Sequence, residues 1–170
     1  KSISPTFGGI NLEDIKAPEA FEIEKRLVNE LDIPVMHDDQ HGTAIISCAA
    51  LLNALELAEK KIEKVKIVVS GAGASAISCT KLYISFGAKL KNIKMFDSKG
   101  LICKKRKDLS EEKKYFAIHE SESTLEKEIS GSDVFIGLSK GNIVSKSMLK
   151  KMNKNPIVFA MANPDPEIPY

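Results

Sequence analysis

The chain has 170 residues, 43% of them apolar and 28% charged, the composition of an ordinary globular protein with one core or one core plus part of another. Its 25 basic and 23 acidic side chains leave a net charge of +2, which argues against nucleic acid as the main partner. No apolar run is long enough for a membrane span, and Lys1-Ser2-Ile3-Ser4-Pro5 lacks the apolar stretch of a signal peptide, so no membrane partner is expected.

Pro18 stands at a good first-turn position, with Glu19, Glu22 and Glu24 near the positive end of a helix dipole. Phe21, Ile23, Leu27, Val28 and Leu31 then predict a helix. Pro34 biases Ile33 away from helix, so Ile33–Met36 reads as a short extended piece. Cys48 and Cys79 are expected as small packing residues, and Cys103, in a polar stretch, as exposed. Three isolated cysteines without metal-ligand spacing suit a reducing cytoplasm. From Thr43 to Leu57 the chain is apolar nearly all round, which predicts a helix buried on most sides, between layers or domains.

Val65–Val69 clusters apolar residues as a buried parallel strand does. A helix is expected from Gly73 to Phe86, closed by Gly87, and a second strand over Ile93–Phe96. Asp108–Tyr115 and Ser123–Ile129 are helical candidates, the second with a capping-box pattern, Ser123-x-x-Glu126. Val134–Gly137 and Ile157–Ala160 read as the third and fourth strands, with a short helix over Lys146–Lys150 between them. Strands alternating with helices predict an α/β fold, Rossmann-like, with a mostly parallel sheet. The chain opens on a loop-like segment and closes on a turn, Asn163–Tyr170, that should lead on. A piece of a longer protein is the expectation.

The pattern Gly71-Ala72-Gly73-Ala74-Ser75-Ala76 follows the first of these strands and opens a helix. Gly71 permits the tight turn, Gly73 lets the backbone approach a pyrophosphate, and Ala76 allows close helix–strand packing. Asp97 follows Ala76 by 21 positions, where a ribose-binding carboxylate is expected. A plain packing turn, and a surface acid at Asp97, are the bland alternatives. Upstream lie two acidic pairs, Glu13-Asp14 and Asp38-Asp39. Hard oxygen ligands suit Mg²⁺ or Mn²⁺. Carboxylates gathered in one site repel by roughly 4 kcal/mol per pair at about 4 Å, so a buried cluster calls for a cation. Spacing alone also allows one pair to cap a helix and the other to precede one. His37 and His41 flank the second pair as ligands or as polar neighbours.

The flanking words carry more. Phe7-Gly8-Gly9-Ile10-Asn11-Leu12-Glu13-Asp14-Ile15 and Ile33-Pro34-Val35-Met36-His37-Asp38-Asp39-Gln40-His41-Gly42-Thr43-Ala44 closely resemble the malic enzymes, especially the short bacterial kind. Phe96-Asp97-Ser98-Lys99-Gly100-Leu101-Ile102 and Phe159-Ala160-Met161-Ala162-Asn163-Pro164 resemble two further stretches of that family. The Asp38–Thr43 word is highly specific; the glycine turn is not.

The resemblance implies oxidative decarboxylation of L-malate to pyruvate and CO₂, with reduction of NAD or NADP. It implies metal ligation by Glu13, Asp14 and Asp39, the metal chelating the malate hydroxyl and a carboxylate oxygen and steadying the enolate left after CO₂ departs. Asp38 would orient or tune the site. Asn163 would border the substrate and nicotinamide. Gly71, Gly73, Ala74, Ser75, Ala76, Asp97, Ser98 and Lys99 would bind the cofactor. It divides the chain into residues 1–37, a segment of the catalytic and metal-binding domain, and residues 38–170, an incomplete NAD(P)-binding domain. A homo-oligomer is implied for the longer enzyme.

The family's general-base lysine and general-acid tyrosine lie in an N-terminal region that this sequence does not contain. Tyr83, Tyr115 and Tyr170 are outside the tyrosine motif, and a further substrate-contacting asparagine is also missing. The chain alone is therefore expected not to turn over malate. Cofactor choice stays open. Asp97 on a ribose hydroxyl favours NAD, while Ser98, Lys99 and Lys113-Lys114 resemble members that take the 2′-phosphate. The basic run Lys104-Lys105-Arg106-Lys107 is expected as a solvated face. Alternatives are another NAD(P)-dependent dehydrogenase, such as an amino-acid dehydrogenase, or a non-catalytic dinucleotide-binding module.

Overall fold

A side-chain period of two sorts the buried strands onto two faces. In β3 (Ile67–Ser70), Ile67 and Val69 point to one apolar cluster and Val68 to another. β6 (Val134–Gly137) repeats the pattern, with Val134 and Ile136 on the first side and Phe135 on the second. Every residue of both strands is buried, as expected for a parallel sheet covered on both faces. The computed structural model describes residues 1–16 and 18–169. Tyr170 lies outside the described residues.

Five strands form the main sheet in the order β5-β4-β3-β6-β7, with β4 at Ile93–Asp97, β5 at Gly100–Leu101 and β7 at Ile157–Ala160. β3 pairs in parallel with β4 and β6, and β6 with β7; only the β4–β5 pair is antiparallel. From β3 the chain passes to β4 on one side and later returns to β6 on the other. That reversal opens a crevice beyond the carboxyl ends of the strands, where ligands bind in open α/β sheets. The expected Rossmann-like class is what the chain adopts.

Two helices cover the first face. α2 (Asp38–Leu57) packs along α3 (Ala74–Ser85), and both bury their apolar stripes on the sheet. Tyr83, wholly buried, donates to Ser47 Oγ at 2.9 Å across this helix pair, so its phenol is not left unpaired in the core. Cys48 and Cys79 are packing residues in the same seam. α2 is less enclosed than its composition suggests. Gln40, Ala44, Cys48, Leu51 and Leu55 form one buried stripe, while Ile45, Ile46 and Leu57 are exposed. The other face is covered by α5 (Leu125–Ile129) and α6 (Lys146–Leu149) around Phe135, Ile129 and Met148.

A smaller piece precedes the sheet. β1 (Ile10–Leu12) pairs in parallel with β2 (Val35–His37), across α1 (Glu19–Glu30). The sequence shows no period long enough to reveal β1. Other details also differ from expectation. The helix over Asp108–Tyr115 shortens to α4 (Glu111–Lys114). α5 is capped by Thr124, whose hydroxyl accepts from the Lys127 N–H, and not by Ser123. Cys103 is fully buried: the β4–β5 hairpin turns the chain back beneath the sheet and carries it into the second cluster. Among the described residues, no helix is long and apolar enough to cross a membrane.

Candidate functional site

The glycine turn sits where the strand pattern placed it. β3 ends at Ser70, and α3 begins at Ala74 with Gly73 as its N-cap. Gly71 has φ +125°, and a Cβ there would overlap the Leu138 carbonyl, so only glycine fits. Gly73 is different: its φ of −85° suits any residue, and a Cβ would meet nothing within 4 Å. The space over Gly73 is open to a ligand, and the first N–H groups of α3 face outward there. Ala76 is buried against the sheet. Gly71 N–H donates to Phe96 at 2.8 Å and Leu138 N–H to Ser70 at 2.7 Å, so both neighbouring strand ends are tied to this turn.

Beside it lies an open cavity of about 650 Å³, lined by Gly71, Asp97, Ser98, Lys99, Leu125 and Lys140 among others. Asp97 is at the end of β4, as its spacing predicted. Its carboxylate is heavily engaged. Arg106 NH1 donates to Oδ1 at 2.6 Å and NH2 to Oδ2 at 3.0 Å; Lys113 Nζ donates to Oδ2 at 2.9 Å and the Lys99 N–H to Oδ1 at 3.0 Å. Burial raises the Asp97 pKa, but the hydrogen bonds from Arg106, Lys113 and the Lys99 backbone outweigh it and bring it to about 2. Arg106 is therefore not on a solvated face. Its side chain is 9% exposed, and Asp108 accepts from its Nε and NH2. Nothing in a four-residue basic run marks which member turns inward.

The loops after β6 and β7 are joined by Glu167, a residue that sequence reasoning missed. It is fully buried; its carboxylate accepts from the N–H of Ser139 at 2.9 Å and of Ala162 at 3.1 Å. The carboxylate occupies the space that a side chain on Gly137 would need. Ser139 also bonds Ser70 at 2.9 Å through the two hydroxyls. Asn163, next to Ala162 and joined to Pro164 by a cis peptide bond, is exposed at this edge.

The acidic pairs approach from the other side. Asp38 and Asp39 form the first turn of α2, following His37. Asp14 N–H donates to Asp39 Oδ2 at 3.0 Å, which brings the two motifs together across 25 residues of chain. Glu13 is exposed and its Oε2 accepts from Asn11 at 3.1 Å. Asp38 leans over Gly42, where a Cβ would overlap its carboxylate. Among the described residues, no three His, Cys, Asp or Glu side chains gather closely enough to enclose a metal ion. So Asp14 and Asp39 adjoin, while Glu13 is directed to Asn11. The donor set fits a hard cation in chemistry, being all carboxylate oxygen. His37 is fully buried, its Nε2 3.8 Å from Asp39 Oδ2. His41 instead pairs with Glu24 at 2.9 Å, and Glu24 also accepts from the His37 N–H at 2.9 Å. Glu24 thus fixes the β2–α2 junction from α1, a role its position in a run of helical glutamates does not reveal.

A family profile described as "Malic enzyme, NAD binding domain" matches residues 40–168. The chain belongs to the malic enzyme family. It is 52% identical over 166 residues to an NADP-dependent malic enzyme of Halomonas elongata, covering 98% of this chain and 39% of that protein. It is 50% identical over 175 residues to an NAD-dependent malic enzyme of Geobacillus stearothermophilus, covering 99% of this chain and 36% of that protein. Among solved structures, an NAD-dependent malic enzyme from Thermotoga maritima superposes with a TM-score of 0.91 at 47% identity, over 99% of this chain and 46% of that one. The chain thus spans less than half the length of these malic enzymes. The match covers α2, the glycine turn and the five-stranded sheet, and β1 and α1 precede it.

Proposed function

We propose that this chain supplies the dinucleotide site and part of the metal site of an enzyme that converts L-malate and NAD⁺ or NADP⁺ into pyruvate, CO₂ and the reduced cofactor. The observation that carries this reading is a single hydrogen bond: Ser75 Oγ, one residue into α3, donates to the Asp39 carbonyl at 2.5 Å. It fastens the phosphate turn to the acidic motif, so cofactor and metal-bound substrate would meet at one place. The family match over residues 40–168 favours this over an amino-acid dehydrogenase, and the acidic motif favours it over a non-catalytic module.

Each residue has a physical part in this reading. Gly71, Gly73, Ala74, Ser75 and Ala76 let the pyrophosphate rest on the N-terminus of α3. Asp97, Ser98 and Lys99 border the ribose. Asp14 and Asp39 would hold the divalent cation, with Glu13 as the third carboxylate. A bound Mg²⁺ or Mn²⁺ supplies Lewis-acid polarisation of a substrate oxygen. Asp38 tunes the charge beside that set, and Asn163 offers an amide to substrate and nicotinamide from the β7 loop. Residues 1–37, with the β1–β2 pair, would belong to the catalytic part, and residues 38–170, with the main sheet, to the cofactor-binding part. Three free, buried cysteines suit the cytoplasm, and the exposed apolar residues on α2 suit association within a larger homo-oligomer.

The test is calorimetric titration of the chain with NADH and NADPH, with and without Mn²⁺. Saturable dinucleotide binding that Gly73→Val removes supports the reading. Absence of binding by either dinucleotide overturns it.

A further inference from the structure

Parallel pairing of β1 with β2 puts Leu12 opposite His37, so the acidic pair that follows each strand leaves the small sheet at the same end. The His37 side chain is fully buried. Neither of its ring nitrogens has a hydrogen-bond partner among the described residues. A buried polar group without a partner weakens a fold, and an apolar side chain of similar size would not. Packing therefore gives no reason for a histidine at this position. Its main chain is nonetheless held firmly. Glu24, 15% exposed, accepts from the His37 N–H at 2.9 Å and is itself held by His41 Nε2 at 2.9 Å and by Gln40 Nε2 at 3.4 Å.

The ring faces the acidic motif. Nε2 is 3.8 Å from Asp39 Oδ2, the oxygen that also accepts from the Asp14 N–H at 3.0 Å. Among the described residues, Oδ1 of Asp39 accepts no hydrogen bond. The Asp39 side chain is 42% exposed and stands in the first turn of α2, so it has room to turn. A small rotation brings Oδ2 within the roughly 2.7–3.2 Å of an N–H···O bond. The two histidines of the motif thus have different surroundings. His41, on the open side, is paired with Glu24, and His37 has Asp39 before it.

We propose that His37 is a positioning residue for Asp39. Its Nε2–H donates to Oδ2 and, together with the Asp14 N–H, clamps that oxygen, so that Oδ1 is the one turned outward to a Mg²⁺ or Mn²⁺ ion. The inference rests on the reading of Asp39 as a metal ligand given above. A carboxylate pinned through one oxygen presents the other in a single direction, and the ordering is done before the ion arrives. Glu24 serves the same end from α1, because it fixes the backbone from which the imidazole projects.

The experiment measures Mn²⁺ affinity by electron paramagnetic titration, and Tm without metal, for the chain and its His37→Leu, His37→Gln and Asp39→Asn variants. His37→Leu lowers Mn²⁺ affinity roughly 10–100-fold, as loss of an outer-shell partner does, while the metal-free Tm holds or rises. His37→Gln carries an amide N–H to about the same place and restores most of the affinity. Adding His37→Leu to Asp39→Asn costs little more than Asp39→Asn alone, since His37 acts through Asp39. Should His37→Leu fail to fold, nitrogen-15 histidine spectra of the unaltered chain at one pH decide the matter: Mg²⁺ moves the His37 Nε2 resonance, and does not in Asp39→Ala. Unchanged Mn²⁺ affinity in His37→Leu, a Tm that falls without any rescue by His37→Gln, or an unmoved Nε2 resonance overturns the positioning role and leaves Asp39 as a ligand. Mn²⁺ affinity that is absent, or indifferent to Asp39→Asn, overturns both.

Discussion

Asp14 and Asp39 are joined by a backbone N–H to carboxylate bond of 3.0 Å, in which the first residue lends its main chain and the second its side chain. Asp14 has φ 56°, a left-handed conformation that aspartate tolerates better than most residues. The arrangement separates structure from charge. Asp39→Asn keeps an acceptor for the Asp14 N–H but removes a negative charge. We expect it to lower Mn²⁺ affinity by more than the roughly 10–100-fold that loss of an outer-shell partner costs, with little change in Tm. Electron paramagnetic titration of free Mn²⁺ measures this; unaltered affinity would rule out Asp39 as a ligand.

Gly71 and Gly73 make opposite predictions although they are two residues apart. Gly71→Ala forces a side chain into a left-handed backbone and onto Leu138. It should cost about 1–3 kcal/mol from strain, before any loss from the overlap. Gly73→Ala meets no protein atom within 4 Å, so stability should hold while dinucleotide affinity falls, because its methyl stands where phosphate approaches. Urea denaturation and calorimetry together separate the two effects. A destabilised Gly73→Ala that still binds normally would contradict this account.

Glu167 is expected to be among the least replaceable side chains outside the sheet. Glu167→Ala leaves the N–H groups of Ser139 and Ala162 without their acceptor; both bonds are part-buried, so about 0.5–1.5 kcal/mol should be lost for each. Gly137→Ala should be similarly harmful, since its methyl would displace that carboxylate. The double variant Gly137→Ala, Glu167→Ala should cost less than the sum, because the second change removes the clash of the first. Strict additivity in chemical denaturation would show that the two positions act independently.

Asp97 gives a pH dependence of defined sign. Its pKa lies lower in the folded chain, at about 2, than its ordinary value of 3.8. A lowered carboxyl pKa stabilises the fold above the unfolded value, and that contribution is lost as pH falls from about 4 towards about 2. Lys113→Ala removes one of the bonds that lower it and should shrink the loss over that interval. Urea midpoints at a series of pH values test this; parallel curves for the two proteins would exclude it.

The chain alone should bind dinucleotide without reducing it in the presence of malate. Tyr83 is buried and bonded to Ser47, which removes it from proton transfer at the acidic motif. Acid and base groups placed at a reacting centre contribute about 10²–10⁴-fold each. Malate-dependent NAD(P)H formation by the purified chain, followed by absorbance, would show that His37, His41 or Lys99 moves the proton.

The central sheet was legible because its strands are short apolar runs bounded by turns, and the glycine turn because it punctuates a strand and a helix. The acidic motif was legible by resemblance, and Asp97 by spacing. Other features depend on partners that no local pattern names. β1 is three residues long and exists by pairing with β2, across α1. Arg106 stands in a basic run, and only the β4–β5 hairpin decides that it turns towards Asp97. Glu167 reads as one acid among prolines until the fold carries it under Gly137. The apolar circumference of α2 misled in the opposite direction, since composition does not say how much of a helix the chain itself can cover.

The bond from Ser75 to the Asp39 carbonyl turns two helices into a single gauge block. The separation between the acidic motif and the glycine turn is set by packed helical backbone, not by the slack of a connecting loop. Insertions between Leu57 and Ile67, or beyond Ser85, could lengthen the chain without altering that separation. A change as small as Ser75→Gly would loosen it while leaving every charged group in place.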